Sequence, residues 1–347
     1  MLILLVDWKK KDDFYLEKEL NARGIPFVTF DIPDYSMLDR TLSYRLFILY
    51  FKYIKLAYRA VKYSKPGDIL ICVNYTSAVA VGYMSLVLGR KRNILALNMI
   101  AHKKFWFIEG LRRVLYRPIM KMSRFLITVN SEQYIAEYSR RFKVPSRKFY
   151  VLNDPIQPVM QKMPEITERT FVFTGGEAKR DWETLFKACK ALPDISFHCI
   201  AREKYFDKRL GIPTNVELLF DTDYGTFLNK MKQASIVAIP LNSQSPAGLI
   251  VLLESASYYK PVIATRTPST ENYITDGING YLTKAGDEGE LADKIRLLWD
   301  DPDMQKNFGR NLNLSVMKNH SPEKYTSNLL SILAENNLYP LPSLAVN

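Results

Sequence analysis

The chain has 347 residues, 47% of them hydrophobic and 24% charged, enough for two ordinary domains with substantial cores. That composition excludes a disordered or fibrous protein, and no run of about 18 apolar residues is present to span a membrane as a helix. The 48 basic and 36 acidic residues give a net charge of +12, but residues 1–165 hold 28 basic against 14 acidic and the remainder 20 against 22. An anionic partner is therefore expected of the N-terminal half alone.

Met1-Leu-Ile-Leu-Leu-Val6 reads as a first buried strand; it has no basic leader and runs straight into Asp7 and three lysines. Further short Val/Ile/Leu runs predict strands at Phe27–Asp31, Ile69–Asn74, Ile94–Met99, Phe125–Val129 and Phe149–Leu152. Helical patterns lie between them near Phe14–Ala22, Tyr44–Tyr63, Thr76–Leu88, Phe105–Met122 and Ser131–Phe142. Strand–helix–strand order implies a doubly wound parallel sheet. Cys72, Cys189 and Cys199 have neither zinc nor redox spacing, and Cys72 and Cys199, in expected strands, suit small core positions.

Asp154-Pro-Ile-Gln-Pro158 breaks the pattern, and the polar sequence to Arg169 reads as a linker. The alternation then restarts. Strands are expected at Thr170–Thr174, Ser196–Ala201, Val216–Leu219, Ile236–Pro240 and Pro261–Thr265. Helices are expected at Trp182–Ala191, Tyr224–Gln233, Leu249–Tyr258, Glu271–Thr275, Glu288–Trp299 and Asp303–Leu314. This is a second doubly wound domain. Ligands in such folds bind beyond the carboxyl ends of the strands, and two such domains facing each other make a cleft.

The stretch Ser245-Pro-Ala-Gly-Leu-Ile-Val-Leu-Leu-Glu254 is the most informative. A loop with Gly248 opens an apolar helix; free N–H groups at a helix start bind anions, and glycine lets a phosphate come close. Glu254, further along, only accepts hydrogen bonds and suits the paired hydroxyls of a ribose. The plainer alternative is an ordinary buried helix with a salt-bridged glutamate.

From Gly248 to Gly280 the sequence resembles the nucleotide-sugar site of GT-B glycosyltransferases, in particular glycosyltransferase family 4 (group 1). The matching pieces are Gly248 to Glu254, Lys260-Pro-Val-Ile-Ala-Thr265, Glu271 and Asp276-Gly-Ile-Asn-Gly280. Weaker similarity covers most of the chain, including Ile127 to Ser131 and Val151 to Asp154. The resemblance implies a GT-B architecture: an acceptor-binding domain at 1–158, a donor-binding domain at 159–320, and a last helix, within about 321–347, that returns to the first domain. It assigns the ribose to Glu254 and the phosphates to Gly248 and Leu249, with Pro246 and Ala247 also binding the donor. Gly175, Gly176, Lys179 and Arg180 match the loop after the first donor-domain strand, where a basic residue neutralises the diphosphate. Arg180 is in the better register. Arg202, Asp221 and Tyr224 are placed with the nucleotide. The family's first glutamate is missing: its place falls on Pro246 or Ser245, neither acidic. Donor identity, and retention against inversion, therefore stay open.

His102, at the carboxyl end of the strand Ile94–Met99, and Asp7, at the end of the first strand, are the candidate catalytic groups beside Arg180. Asp7 would serve as base if the enzyme inverts. Asp12 and Asp13 read as capping residues. Asp221-Thr-Asp223 superficially resembles a metal-binding pair, but no metal and no cofactor beyond a UDP- or GDP-type donor is expected. On the helix around Leu46–Tyr63, Lys52, Lys55, Arg59 and Lys62 share a face, leaving Phe47, Phe51, Ile54, Tyr58 and Val61 to turn elsewhere. With Trp106 and Arg113 they form a candidate surface for an anionic membrane. Nucleic acid is not expected, for want of a recognisable binding motif. The resemblance, together with the basic surface, thus implies a hexose-type transfer from a nucleotide sugar to an acceptor, a lipid-linked glycan of a bacterial surface polysaccharide, on the inner face of the cell membrane. The alternatives are a non-catalytic GT-B subunit and a nucleotide-sugar epimerase.

Overall fold

The computed structural model describes residues 1–7, 14–32, 43–101, 106–156, 169–176, 179–242 and 247–339, with backbone alone at 43–49 and 106–108. In chain order its elements begin β1 (Leu2–Leu5), α1 (Tyr15–Ala22), β2 (Phe27–Phe30), α2 (Ser43–Tyr63), β3 (Ile69–Cys72) and α3 (Tyr75–Val87). They continue with β4 (Asn93–Ala96), α4 (Trp106–Met120), β5 (Phe125–Val129), α5 (Glu132–Phe142) and β6 (Phe149–Val151). Next come β7 (Val172–Gly175), α6 (Trp182–Ala191), β8 (Phe197–Ala201), β9 (Val216–Phe220), α7 (Tyr224–Gln233) and β10 (Ile236–Ile239). The chain ends with α8 (Leu249–Ser257), β11 (Val262–Thr265), β12 (Tyr281–Thr283), α9 (Glu288–Asp300), α10 (Pro302–Asn319) and α11 (Pro322–Glu335). Two compact units result: Met1–Asp154 with Pro322–Asn347, and Pro155–Ser321.

The first unit is a parallel sheet in the order β2-β1-β3-β4-β5-β6, with Ile3 in register with Val28 and Leu70. Its strands are short apolar runs because both faces are covered. On one face Tyr53, Leu56 and Val61 of α2, Val81 of α3 and Ile119 of α4 pack on Ile3, Leu5 and Leu70. On the other, Leu16 and Leu20 of α1 meet Leu329, Leu330 and Leu333 of α11 over Leu2, Leu4 and Ile71. A fully buried leucine contributes about 1.5–3 kcal/mol, so α11 is an integral layer of this unit.

The second unit repeats the plan with the order β12-β11-β10-β7-β8-β9, all pairs parallel. Four of its helices start on side-chain caps: Asp181, Asp223, Asp287 and Asp301 each accept from a backbone N–H in the first turn of α6, α7, α9 and α10. The expected helix at Glu271–Thr275 does not form; a single 3-10 turn stands at Thr270–Asn272. The Thr270 hydroxyl donates to the Thr265 carbonyl (2.8 Å), and the Asn279 side chain accepts from Thr275 N (2.7 Å) and donates to Tyr273 O (3.1 Å). Side chains thus take the backbone groups a helix would need. The short strand β12 was not anticipated either; Tyr-Leu-Thr is too brief to show a period.

α10 crosses the end of α8 at Gly309, where a Cβ would stand 2.0 Å from the Tyr259 carbonyl oxygen. Gly309→Ala must push the helix away and should cost roughly 3 kcal/mol. Gly110→Ala, in α4 with nothing within 4 Å, should instead stabilise by up to about 1 kcal/mol. Urea unfolding of the two variants tests this; equal midpoints would show that Gly309 is not a close contact.

Candidate functional site

In the second unit the site begins where β7 ends. Gly176 lies at φ +132°, a conformation side chains rarely adopt. Lys179 follows in the left-handed region (φ +61°), and its carbonyl accepts from Asn242 N at 3.1 Å. This reversal turns Arg180 back over the strand, where its Nε donates to the Gly175 carbonyl at 2.8 Å. A Cβ on Gly176 would lie 2.4 Å from Arg180 Nη2. A Cβ on Gly248 would lie 2.7 Å from Ile239 Cγ2 and 3.5 Å from Arg180 Nη1. The guanidinium therefore lies against two glycine backbones that leave it room. It is 6% exposed, and burial pulls its pKa down to about 10, so it stays charged at neutral pH. Of the two basic residues of this loop, the arginine points inward and the lysine is exposed.

Gly248 also starts α8. It takes φ +79° as the N-cap, and among the described residues no side chain caps the helix. The first N–H groups of α8 and the positive end of its dipole are thus available beside Arg180. Ala247 and Leu249 are buried on either side. Pro246 and Ser245 lie outside the described residues. Glu254 stands six residues along α8, about 9 Å by helical rise. Its Oε1 accepts from the Tyr224 hydroxyl, and its Oε2 is buried with no partner among the described residues. Burial pushes the Glu254 carboxyl above its ordinary pKa.

Arg202 and Asp221 pair at 3.5 Å, and Asp221 takes a left-handed backbone (φ +49°) with its N–H on the Ala201 carbonyl at 3.0 Å. Asp223 instead caps α7, accepting from Thr226 N at 3.0 Å. The two aspartates have separate jobs. Among the described residues no group of three His, Cys, Asp or Glu side chains could hold a metal. Thr174 and Thr222 each bury a hydroxyl with no partner among the described residues, a feature with no signature in sequence.

In the first unit, Asp7 follows β1 and is buried. Its Oδ2 accepts from the Tyr53 hydroxyl and Asn74 Nδ2, both at 3.0 Å, while Asn74 caps α3. Asp7 thus ties β1 to α2 and α3. His102, Asp12 and Asp13 lie outside the described residues. Sequence reasoning missed Asn98, which adopts φ +41° after β4, bonds Thr128 and donates to Asp154 after β6. Burial raises the Asp154 carboxyl to about 6. On α2, Lys55, Arg59 and Lys62 are exposed and Lys52 is half-buried. Val61 turns inward as expected, but Phe51, Ile54 and Tyr58 do not; they are exposed among the basic residues, because Tyr53, Leu56, Ala57 and Ala60 already fill the inner face. Arg113 is exposed on α4; the Trp106 side chain is not described.

Residues 168–313 match the family described as Glycosyl transferases group 1. A glycosyltransferase of Methanocaldococcus jannaschii, MJ1178, itself uncharacterized, is 30% identical over 123 residues, 34% of each chain. The match therefore spans about a third of that relative. Among solved structures, Alr3699/HepE of Anabaena in complex with UDP-glucose has a TM-score of 0.68 at 15% identity, covering 96% of this chain and 100% of that one. Sucrose-phosphate synthase of Thermosynechococcus elongatus scores 0.69 at 16% identity over 96% and 98%. The lipopolysaccharide outer core galactosyltransferase WaaB scores 0.65 at 15% identity over 96% and 99%. The chain has the GT-B fold, with two parallel six-stranded sheets.

The Asp154 carboxyl carries a pH dependence of its own. An acid whose folded pKa of about 6 exceeds an unfolded value near 3.9 stabilises the fold fully below about pH 4, and loses that contribution as pH rises to 6. Asp154→Asn should flatten this fall by on the order of 2 kcal/mol. Urea midpoints of both proteins at pH 4, 5 and 6.5 measure it; parallel curves would show an unperturbed carboxyl.

Proposed function

We propose that this chain, a GT-B protein with a group 1 glycosyl transferase sequence in its second unit, moves a hexose-type sugar from a nucleotide-diphosphate donor to a glycan acceptor. The observation that carries this is the buried Arg180 guanidinium lying against Gly176 and Gly248, beside the uncapped start of α8. Leaving of a nucleoside diphosphate places charge on phosphate oxygens. A fixed, desolvated arginine fork and the N–H groups of a helix start stabilise that charge without reorganising at the moment of reaction. In this reading they do so in place of a metal ion. Glu254, further along the same helix, takes the ribose hydroxyls, and Arg202, Asp221 and Tyr224 face the nucleoside. A UDP-type donor is the first choice, in keeping with the UDP-glucose held by Alr3699/HepE.

The first unit supplies the acceptor side. Large apolar side chains stand out from α2, α3 and α4, among them Phe51 (64% exposed), Val87 (78%) and Val114 (69%), with Lys55, Arg59, Lys62 and Arg113 around them. An interfacial protein surface has this mixture: apolar groups enter the acyl boundary and cations meet anionic headgroups. We read it as the face that rests on a membrane and brings a lipid-linked acceptor within reach. The likeness to WaaB favours a surface glycan.

A thermal-shift screen with nucleoside diphosphates tests the donor site. One nucleotide at about a hundred times its Kd should stabilise by roughly 2.7 kcal/mol, several degrees. Arg180→Ala and Glu254→Ala should each lose about 10- to 100-fold in affinity, and Arg180→Ala should also lose at least about a hundredfold in kcat. No shift with any nucleotide would sink the reading. Binding without release of nucleoside diphosphate, whatever the acceptor, would point to the non-catalytic subunit.

The membrane face has its own test. Each basic residue near an anionic leaflet adds about 1 kcal/mol. Reversing Lys52, Lys55 and Arg59 to Glu should therefore cut partition onto phosphatidylglycerol vesicles by roughly a hundredfold or more, with little effect on uncharged vesicles. Unchanged co-sedimentation would remove the membrane from the proposal.

A further inference from the structure

The Tyr224 hydroxyl lies on one oxygen of the Glu254 carboxylate, and Tyr224 is itself the last of a series of neighbouring aromatic rings. Gly175 can carry no side chain: a Cβ there would lie 2.5 Å from the Phe227 ring and 2.8 Å from Phe173. Phe227 sits edge-on to Phe173 (5.2 Å, 79°) and parallel to Tyr224 (6.5 Å, 7°), one turn earlier on α7. The start of α7 is fixed by Asp223, which accepts from both the backbone and the hydroxyl of Thr226. Tyr224 is 62% exposed, yet its hydroxyl reaches back to Glu254 Oε1. Oε2 meanwhile is shut away from water with no partner among the described residues.

A vicinal diol donates two hydrogen bonds to a carboxylate, one to each oxygen. Each carboxylate oxygen can take more than one hydrogen bond, but here the phenol lies on Oε1 and Oε2 is covered, so the pair of hydroxyls needs the phenol moved aside to reach both oxygens. We propose that Tyr224 is the residue the donor's ribose displaces: its hydroxyl holds Glu254 while the site is empty, and the 2′- and 3′-hydroxyls exchange for it on both carboxylate oxygens. The exchange gives the buried Oε2 a partner, and the exposed phenol recovers a bond to water. Tyr224 thereby makes donor affinity depend on an intact diol. A nucleotide without one leaves the tyrosine–glutamate bond closed. This inference rests on the reading that Glu254 takes the ribose.

Isothermal titration of wild type and Tyr224→Phe with UDP, GDP and their 2′,3′-dideoxy counterparts tests it. Removing the phenol hydroxyl removes the competitor, so the nucleoside diphosphate that binds wild type should bind Tyr224→Phe about five- to tenfold tighter, the worth of one net hydrogen bond. Its dideoxy counterpart should bind both proteins equally. Unchanged or weaker binding of the ribonucleotide by Tyr224→Phe would overturn the displacement and leave the donor site standing. An equal gain for the dideoxy nucleotide would show that the ring, not the diol exchange, is responsible, and also overturns it. Binding of neither UDP nor GDP to wild type would overturn the donor reading and this inference together.

Discussion

A cation held out of water is the constraint around which the second unit is arranged. Moving a guanidinium into a buried position carries a desolvation cost that the protein must offset with oriented dipoles. Here the Gly175 carbonyl takes its Nε, and two glycine backbones leave the space that side chains would fill. A charge so placed cannot reorganise much. In the proposed reading it would offer an incoming diphosphate a fixed counter-charge, which is what an electrostatic catalyst needs and what a mobile surface lysine could not give.

Much of the surrounding geometry follows from that placement. Arg180 forms an isolated antiparallel bridge with Leu241, just after β10, and the Leu241 N–H in turn donates to Thr265 Oγ1 at the end of β11 (2.8 Å). Asp181, the next residue, donates its N–H to the Pro240 carbonyl and caps α6 with its side chain. One loop therefore joins the ends of β7, β10 and β11 and starts a helix at the same time. The arrangement also explains why Gly248 must be glycine twice over. Its left-handed backbone begins α8, and a Cβ would strike Ile239.

The fold was legible because most of its strands are short, largely apolar runs that alternate with helical patterns. Strands such as Phe125–Val129 and helices such as Trp182–Ala191 have the bounds their patterns predict. The patterns failed where side chains compete with the backbone, at Thr270 and Asn279, and where a strand is only Tyr281–Thr283. Around Arg180, Gly248 was marked by its place at the start of an apolar helix, and Gly176 and Arg180 by the resemblance of their loop to the GT-B family; the structure brings the three together. The Tyr224–Glu254 bond and the Asn98–Asp154 pair depend on which strand ends become neighbours, and spacing along the chain does not carry that. Asp7 shows the converse. Its position after β1 was plain in the sequence, but its bonds to Tyr53 and Asn74, which tie it into the unit, were not.

The basic charge of the first half had two explanations in sequence, a solvated helix face or a surface for an anionic partner. A solvated face accounts for Lys55, Arg59 and Lys62, which water welcomes. It does not account for Phe51, Ile54 and Tyr58 beside them, or for Val87 and Val114 on the neighbouring α3 and α4. Each such side chain, partly exposed, forgoes a share of the roughly 1.5–3 kcal/mol that full burial returns. Single exposed apolar residues are ordinary on any protein, and in the second unit they are scattered. In the first unit they stand on consecutive helices that cover one face of the sheet, with exposed cations on α2 and α4. Apolar groups and positive charge together are what an anionic lipid surface rewards and what plain water does not.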